Sequence, residues 1–102
     1  MKLYEIAPVI RSKNAGPFFL TFDVIFSDKE TYEKVKSTGI LNKKLMSDLY
    51  NVPIKNIRFY DFSPAFAFKW TIPRPIFSGD VGDSDIYGAQ QHAHLMNVEI
   101  PL

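Results

Sequence analysis

The stretch Ala65-Phe-Ala-Phe-Lys-Trp-Thr-Ile72 alternates with a period of two. Phe66, Phe68, Trp70 and Ile72 fall on one face of a strand, with Ala65, Ala67, Lys69 and Thr71 on the other. The aromatic row reads as core, because a sheet that stacks bases would add interleaved basic residues and a charge surplus. Just upstream, Asn56 to Phe62 sets Ile57 and Phe59 opposite Arg58, Tyr60 and Phe62, and Ser63-Pro64 turns the chain. Phe18 to Phe26 alternates too, with Leu20, Phe22, Val24 and Phe26 on one side. Asp23 interrupts it. A carboxylate there either stays exposed or pairs with Arg11 or Lys13 of the preceding loop, since burial without a partner is costly.

The remaining elements follow from these strands. Lys2 to Ile10 is expected to be a further strand, at an edge because Pro8 has no ladder donor. Ser27 opens a helix in a capping box with Glu30, Tyr32 and Val35 form its apolar stripe, and Gly39 stops it. Asn42 caps a second helix, with Leu45, Met46, Leu49 and Tyr50 buried and Asn51 and Pro53 ending it. Lys34, Lys36, Lys43 and Lys44 make a solvated basic face on this pair. Asp85 caps a third helix starting at Ile86, and Asn97 to Pro101 makes a last short strand. Without the first strand, the order is strand-helix-strand-strand-helix-strand, the ferredoxin-like pattern. The expected fold is therefore α+β: a ferredoxin-like sandwich, with a mainly antiparallel sheet, helices on one face and an extra N-terminal strand. Residues 1–102 form one domain, as the length suggests.

Composition narrows the function classes. The chain has 102 residues, 46% hydrophobic and 15% aromatic, enough for one compact core. A net charge of +1 argues against nucleic acid as the main partner. The absence of cysteine removes disulfides, thiolate metal sites and a Cys nucleophile. No apolar run is long enough for a signal-peptide core or a membrane span, so a cytoplasmic protein without a membrane partner is expected. Nothing implies a cofactor.

The chemistry gathers in two stretches. The first, Arg11-Ser-Lys-Asn-Ala-Gly-Pro17, reads as a loop that is either a solvated turn or an anion-contacting surface, with Arg11 as a bidentate donor. The second runs from Pro73 to His94. Arg74 sits between two prolines on a stiff, extended rod. Ser78-Gly-Asp-Val-Gly-Asp-Ser-Asp85 matches neither a phosphate loop nor an EF-hand. Asp80, Asp83 and Asp85 read as turn and cap residues, with a hard-cation site as the alternative; no metal is expected. His92 and His94, two apart on a helix, lie about 200° apart and cannot share a metal. One histidine in a polar pocket is an acid/base candidate, so His92 with Asp80 is the catalytic pair of an enzyme reading, with Arg11 and Arg74 holding substrate. A structural histidine is the alternative. The loops at 11–17 and 74–85 are expected to approach each other, since each leaves the end of a sheet strand.

Taken together, Arg11-Ser-Lys-Asn-Ala-Gly-Pro17, Leu20-Thr-Phe-Asp23, Arg74-Pro75, Ser78-Gly79-Asp80 and Tyr87-Gly-Ala-Gln-Gln-His92 resemble a small bacterial family of unknown function. That family is related to the C-terminal ferredoxin-like domain of the acyclic terpene utilisation (AtuA-like) proteins, and the resemblance covers essentially the whole chain. It implies an accessory subunit or module of a larger AtuA-like partner in organic-acid or acyl-CoA catabolism, and it supplies no established reaction. Its signature positions are Arg11, Ser12, Lys13, Asn14, Gly16, Asp23, Arg74, Gly79, Asp80, Tyr87, Gly88, Gln90, Gln91 and His92. Among these, Arg11, Lys13, Asn14, Arg74, Gln90 and Gln91 are the expected contacts to an anionic small molecule. Gly16, Asp23, Gly79 and Gly88 are structural. His94 stands where the pattern has proline. Two other readings remain beside the accessory subunit: a free-standing enzyme on a carboxylate- or CoA-bearing substrate, and a structural module that forms a homo-oligomer.

Overall fold

The alternation in the strands divides the molecule into two sides. The computed structural model describes residues 1–73 and 93–102. Four strands form one antiparallel sheet: β1 (Val9–Asn14), β2 (Phe19–Ile25), β3 (Arg58–Phe62) and β4 (Ala67–Pro73). Their order is β1-β2-β4-β3. The register pairs Ser12 with Phe22, Phe22 with Trp70, and Trp70 with Phe59, so their side chains share one face. Leu20, Val24, Phe68 and Ile72 lie on that face and are buried. The helices α2 (Lys29–Thr38) and α3 (Lys43–Tyr50) cover it. Tyr32 of α2 packs 5.1 Å from the Phe68 ring, and Tyr50 of α3 packs 5.0 Å from Phe22. The fold is α+β, with an antiparallel four-stranded sheet.

Local chemistry sets the helix ends. Asp28 caps α2 by accepting from the Thr31 amide at 3.3 Å, one residue beyond the expected Ser27. The two residues are equally able caps, and the carboxylate that reaches the third amide wins. Gly39 ends α2 in the left-handed region at φ 69°. Asn42 caps α3 by accepting from the Leu45 amide at 2.8 Å. The Trp70 Nε1–H donates to the Asn42 carbonyl at 2.9 Å, which ties the start of α3 to the centre of the sheet.

Three expectations are corrected. Lys2 to Ile10 is not one strand: a single helical turn, α1 (Leu3–Ile6), precedes Pro8, and β1 begins at Val9. The Glu5 carboxylate accepts from the Lys2 amide at 2.7 Å, which favours the turn, and Leu3 is fully buried. Phe66 is outside β4. It adopts a left-handed conformation at φ 53°, at the end of a 3-10 turn over Ser63–Ala65, with its ring 6.0 Å from Tyr32. Among the described residues, Asn97 to Pro101 contributes one isolated bridge, Lys2 to Glu99. The ferredoxin-like pattern sets the last strand beside β2, whereas β1 holds that edge here. The chain ends are nevertheless fastened together. The amino terminus lies 2.9 Å from the Glu99 carboxylate and donates to the Ile100 carbonyl at 2.8 Å. The helix expected from Ile86 lies outside the described residues except for α4 (Ala93–Met96), whose Leu95 is buried in the core.

Candidate functional site

The opposite face of the sheet carries most of the charged strand residues. β1 and β2 place Arg11, Lys13, Asp23 and Thr21 there, and β3 and β4 add Arg58, Tyr60, Phe62, Lys69 and Thr71. The pairing sets these residues in cross-strand rows. One row runs Arg11, Asp23, Lys69, Tyr60, and the next runs Lys13, Thr21, Thr71, Arg58. Among the described residues, the strand positions on this face therefore hold four cations and one carboxylate, a net +3. The Arg11 Nε–H donates to Asp23 Oδ2 at 3.1 Å, with the carboxylate largely covered and the guanidinium mostly in solvent. Arg11 is thus the partner that the sequence offered Asp23.

Among the described residues, two hollows lie on this face. The larger, about 510 Å³, is lined by Arg11, Asp23, Ile25, Tyr60, Asp61, Phe62, Ala67 and Lys69. The smaller, about 230 Å³, is lined by Ala15, Phe19, Asn56, Arg58 and Thr71. Tyr60 is 53% exposed and Phe62 58%, so their rings stand in solvent beside the larger hollow.

The expected loop from Arg11 to Pro17 is corrected, because Arg11 to Asn14 belong to β1. Strand alternation then splits the candidates. Arg11 and Lys13 face the charged side, while Ser12 and Asn14 face the helices, with Ser12 buried. Gly16 turns the chain at φ 77°. Phe19 pairs with Pro73, so the chain leaves β4 beside this turn. Arg11 pairs with Asp23, four residues from that end, about 13 Å away along the strand. Arg74, Gly79, Asp80, Asp83, Asp85, Tyr87, Gly88, Gln90, Gln91 and His92 lie outside the described residues. His94 packs edge-on against Tyr50, with ring centroids 5.4 Å apart. Burial pushes the Tyr50 hydroxyl pKa well above its ordinary value.

A second polar cluster faces the helices. Asp61 accepts from the Tyr32 hydroxyl at 3.3 Å and lies 2.8 Å from Lys36 Nζ. The Lys36 hydrogen bond leads in holding the Asp61 carboxyl below its usual range, and Asp61 in turn raises Lys36. Burial, then the Asp61 charge, raises Tyr32. This cluster clamps α2 to β3. Among the described residues, no group of three or more His, Asp or Glu is placed to hold a metal ion, and no helix is long and apolar enough to cross a membrane.

The sequence had shown which side of their strands Asp23, Arg58, Tyr60 and Lys69 occupy, but it set Arg11 in a loop and did not show that the five are brought together. Only the register of paired strands makes them neighbours. The α+β fold thus has an open, cationic, aromatic-edged sheet face on one side and a helix layer on the other. The chain belongs to the family described as Domain of unknown function (DUF4387), whose model matches residues 3–99. No curated protein and no solved structure matches the chain.

Proposed function

We propose that this chain is an accessory subunit or module of a larger AtuA-like protein in organic-acid or acyl-CoA catabolism, and that it contributes the charged sheet face to the shared site. One observation carries the reading: Tyr60 and Phe62 remain more than half exposed beside an Arg11–Asp23 pair, on a face of net +3. Aromatic side chains and arginine dominate the binding energy of protein interfaces. Contiguous exposed apolar surface edged by polar groups marks such interfaces on soluble proteins. The excess of cations selects an acidic patch on the partner and speeds its approach. The resemblance of the Arg11–Pro17 and Tyr87–His92 motifs to the AtuA-related family supports the choice of partner.

Co-expression of the tagged chain with the AtuA-like protein of the same organism tests this. The wild type is expected to co-purify with it, and the Tyr60→Ser/Phe62→Ser variant to lose it. Lys44→Gln, on the helix side, is expected to retain it. A wild-type chain that elutes alone, or a double variant that still co-purifies, refutes the reading.

A further inference from the structure

We infer that the row Lys13–Thr21–Thr71–Arg58, with the hollow at its Arg58 end, binds an oxyanion (a carboxylate or phosphate) carried on a planar ring. The inference rests on the reading of this sheet face as the working face, and it names the ligand class that the face takes.

Charge balance separates this row from its neighbour. In the adjacent row Asp23 engages Arg11 at 3.1 Å. The Lys13–Arg58 row contains no carboxylate, and among the described residues neither cation has an ion-pair partner. Two cations therefore stand at the ends of one row, three strand spacings or about 14 Å apart, over two threonines. Thr21 is buried, and its hydroxyl lies 3.5 Å from the Lys13 carbonyl. Thr71 is half-exposed and lines the hollow with Arg58 and Asn56.

Those three side chains supply the donors an oxyanion needs. The Arg58 guanidinium offers a planar fork matched to two oxygens, the Asn56 amide offers two N–H groups, and the Thr71 hydroxyl a third kind of donor. The fourth wall is the Phe19 ring, 45% exposed. A space of about 230 Å³ holds an oxyanion and part of its body rather than a whole large ligand. A planar body can continue across Phe19, where stacking adds to the charge-assisted hydrogen bonds. Lys13, on a long flexible stem, supplies the second charge.

The test uses the isolated full chain. It is titrated with sodium phosphate, sodium acetate and adenosine monophosphate at an ionic strength held constant with NaCl, following the amide resonances of Phe19, Asn56, Arg58 and Thr71. Saturable shifts with phosphate or with acetate are expected, and the anion that produces them names the group bound. Adenosine monophosphate should bind about tenfold tighter than phosphate, as stacking on Phe19 requires. Arg58→Gln should weaken binding at least about tenfold. Lys44→Gln, the same charge change on the helix side, should leave it within about twofold. Shifts that NaCl alone reproduces, or equal weakening by the Arg58 and Lys44 variants, overturn the inference in favour of a diffuse field. Equal affinity for phosphate and adenosine monophosphate overturns the ring contact. No saturable shift with any of the three anions overturns the inference, whereas failure to co-purify overturns only the accessory-subunit reading.

Discussion

Replacing Trp70 with phenylalanine tests how the two faces of the sheet are held together. Trp70 is fully buried at the centre of β4, between Phe22 and Phe59 in the cross-strand row, with the Phe59 ring 5.0 Å away. Its N–H is bound to the carbonyl of the residue that caps α3. Trp70→Phe keeps an aromatic ring but removes this donor and part of the indole. The lost hydrogen bond costs about 1 kcal/mol, towards the lower end because Asn42 is only half-buried and water can reach its carbonyl. The void adds about 1–2 kcal/mol, a fraction of the roughly 3–5 kcal/mol of a full truncation to alanine. The expected destabilisation is therefore about 2–3 kcal/mol, or about 10 °C in Tm for a domain of this size. Urea unfolding followed by far-UV circular dichroism measures it, because the substitution removes the chain's one tryptophan as a fluorescent reporter. An unchanged m-value with a lowered midpoint is expected. A loss below about 0.5 kcal/mol would refute both the packing and the tie to α3.

Three further substitutions test the polar clusters. Asp61 has a depressed folded-state pKa, so its contribution is present above its unfolded value of 3.8 and is lost as pH falls through the folded value. In Asp61→Asn the difference in urea midpoint from wild type should be constant near neutral pH and shrink as the pH falls below about 4; a difference that does not change with pH would sink the ion-pair account. At the charged face, Arg11→Gln should cost less than about 1 kcal/mol, the scale of a largely exposed pair. Combining it with Asp23→Asn should cost less than the sum of the single changes in a double-mutant cycle, and strict additivity would show that the pair carries no coupling.

Three of the four strands, β2 to β4, and both long helices were legible in sequence because their signals are local. The alternation of Phe68, Trp70 and Ile72, the cap at Asn42 and the stop at Gly39 are each decided within a few residues. The first ten residues misled for the same reason. Leu3, Tyr4 and Ile6 suit a strand and a helical turn equally, and the choice falls to the buried contact of Leu3 and the bond from the Lys2 amide to Glu5. Arg11 and Lys13 looked like loop residues because they are charged, yet an outward-facing strand position tolerates charge as readily as a turn does. Lys69 and Thr71 were placed on the outer side of their strand, but no local pattern announces that Asp23 and Thr21 sit opposite them. That information resides in pairings over about 48 residues of chain, which only the closed sheet specifies.

The same pairings give the sheet a division of labour. In β2 and β4, every second residue is committed to the core, and Phe22, Val24, Phe68, Trp70 and Ile72 leave little freedom there. The intervening positions contribute little to that core, so they are free to carry charge. They carry it unevenly: Arg11 and Asp23 neutralise each other in one row, while Lys13 and Arg58 stand without a carboxylate in the next. A face needed only for solubility would intersperse both signs and would not leave Tyr60 and Phe62 exposed beside them. Uncompensated cations cost self-repulsion, and exposed rings cost solubility. The proposed contact with an acidic, partly apolar partner accounts for their coexistence on one side of a well-packed sheet, whose pairings hold them in register.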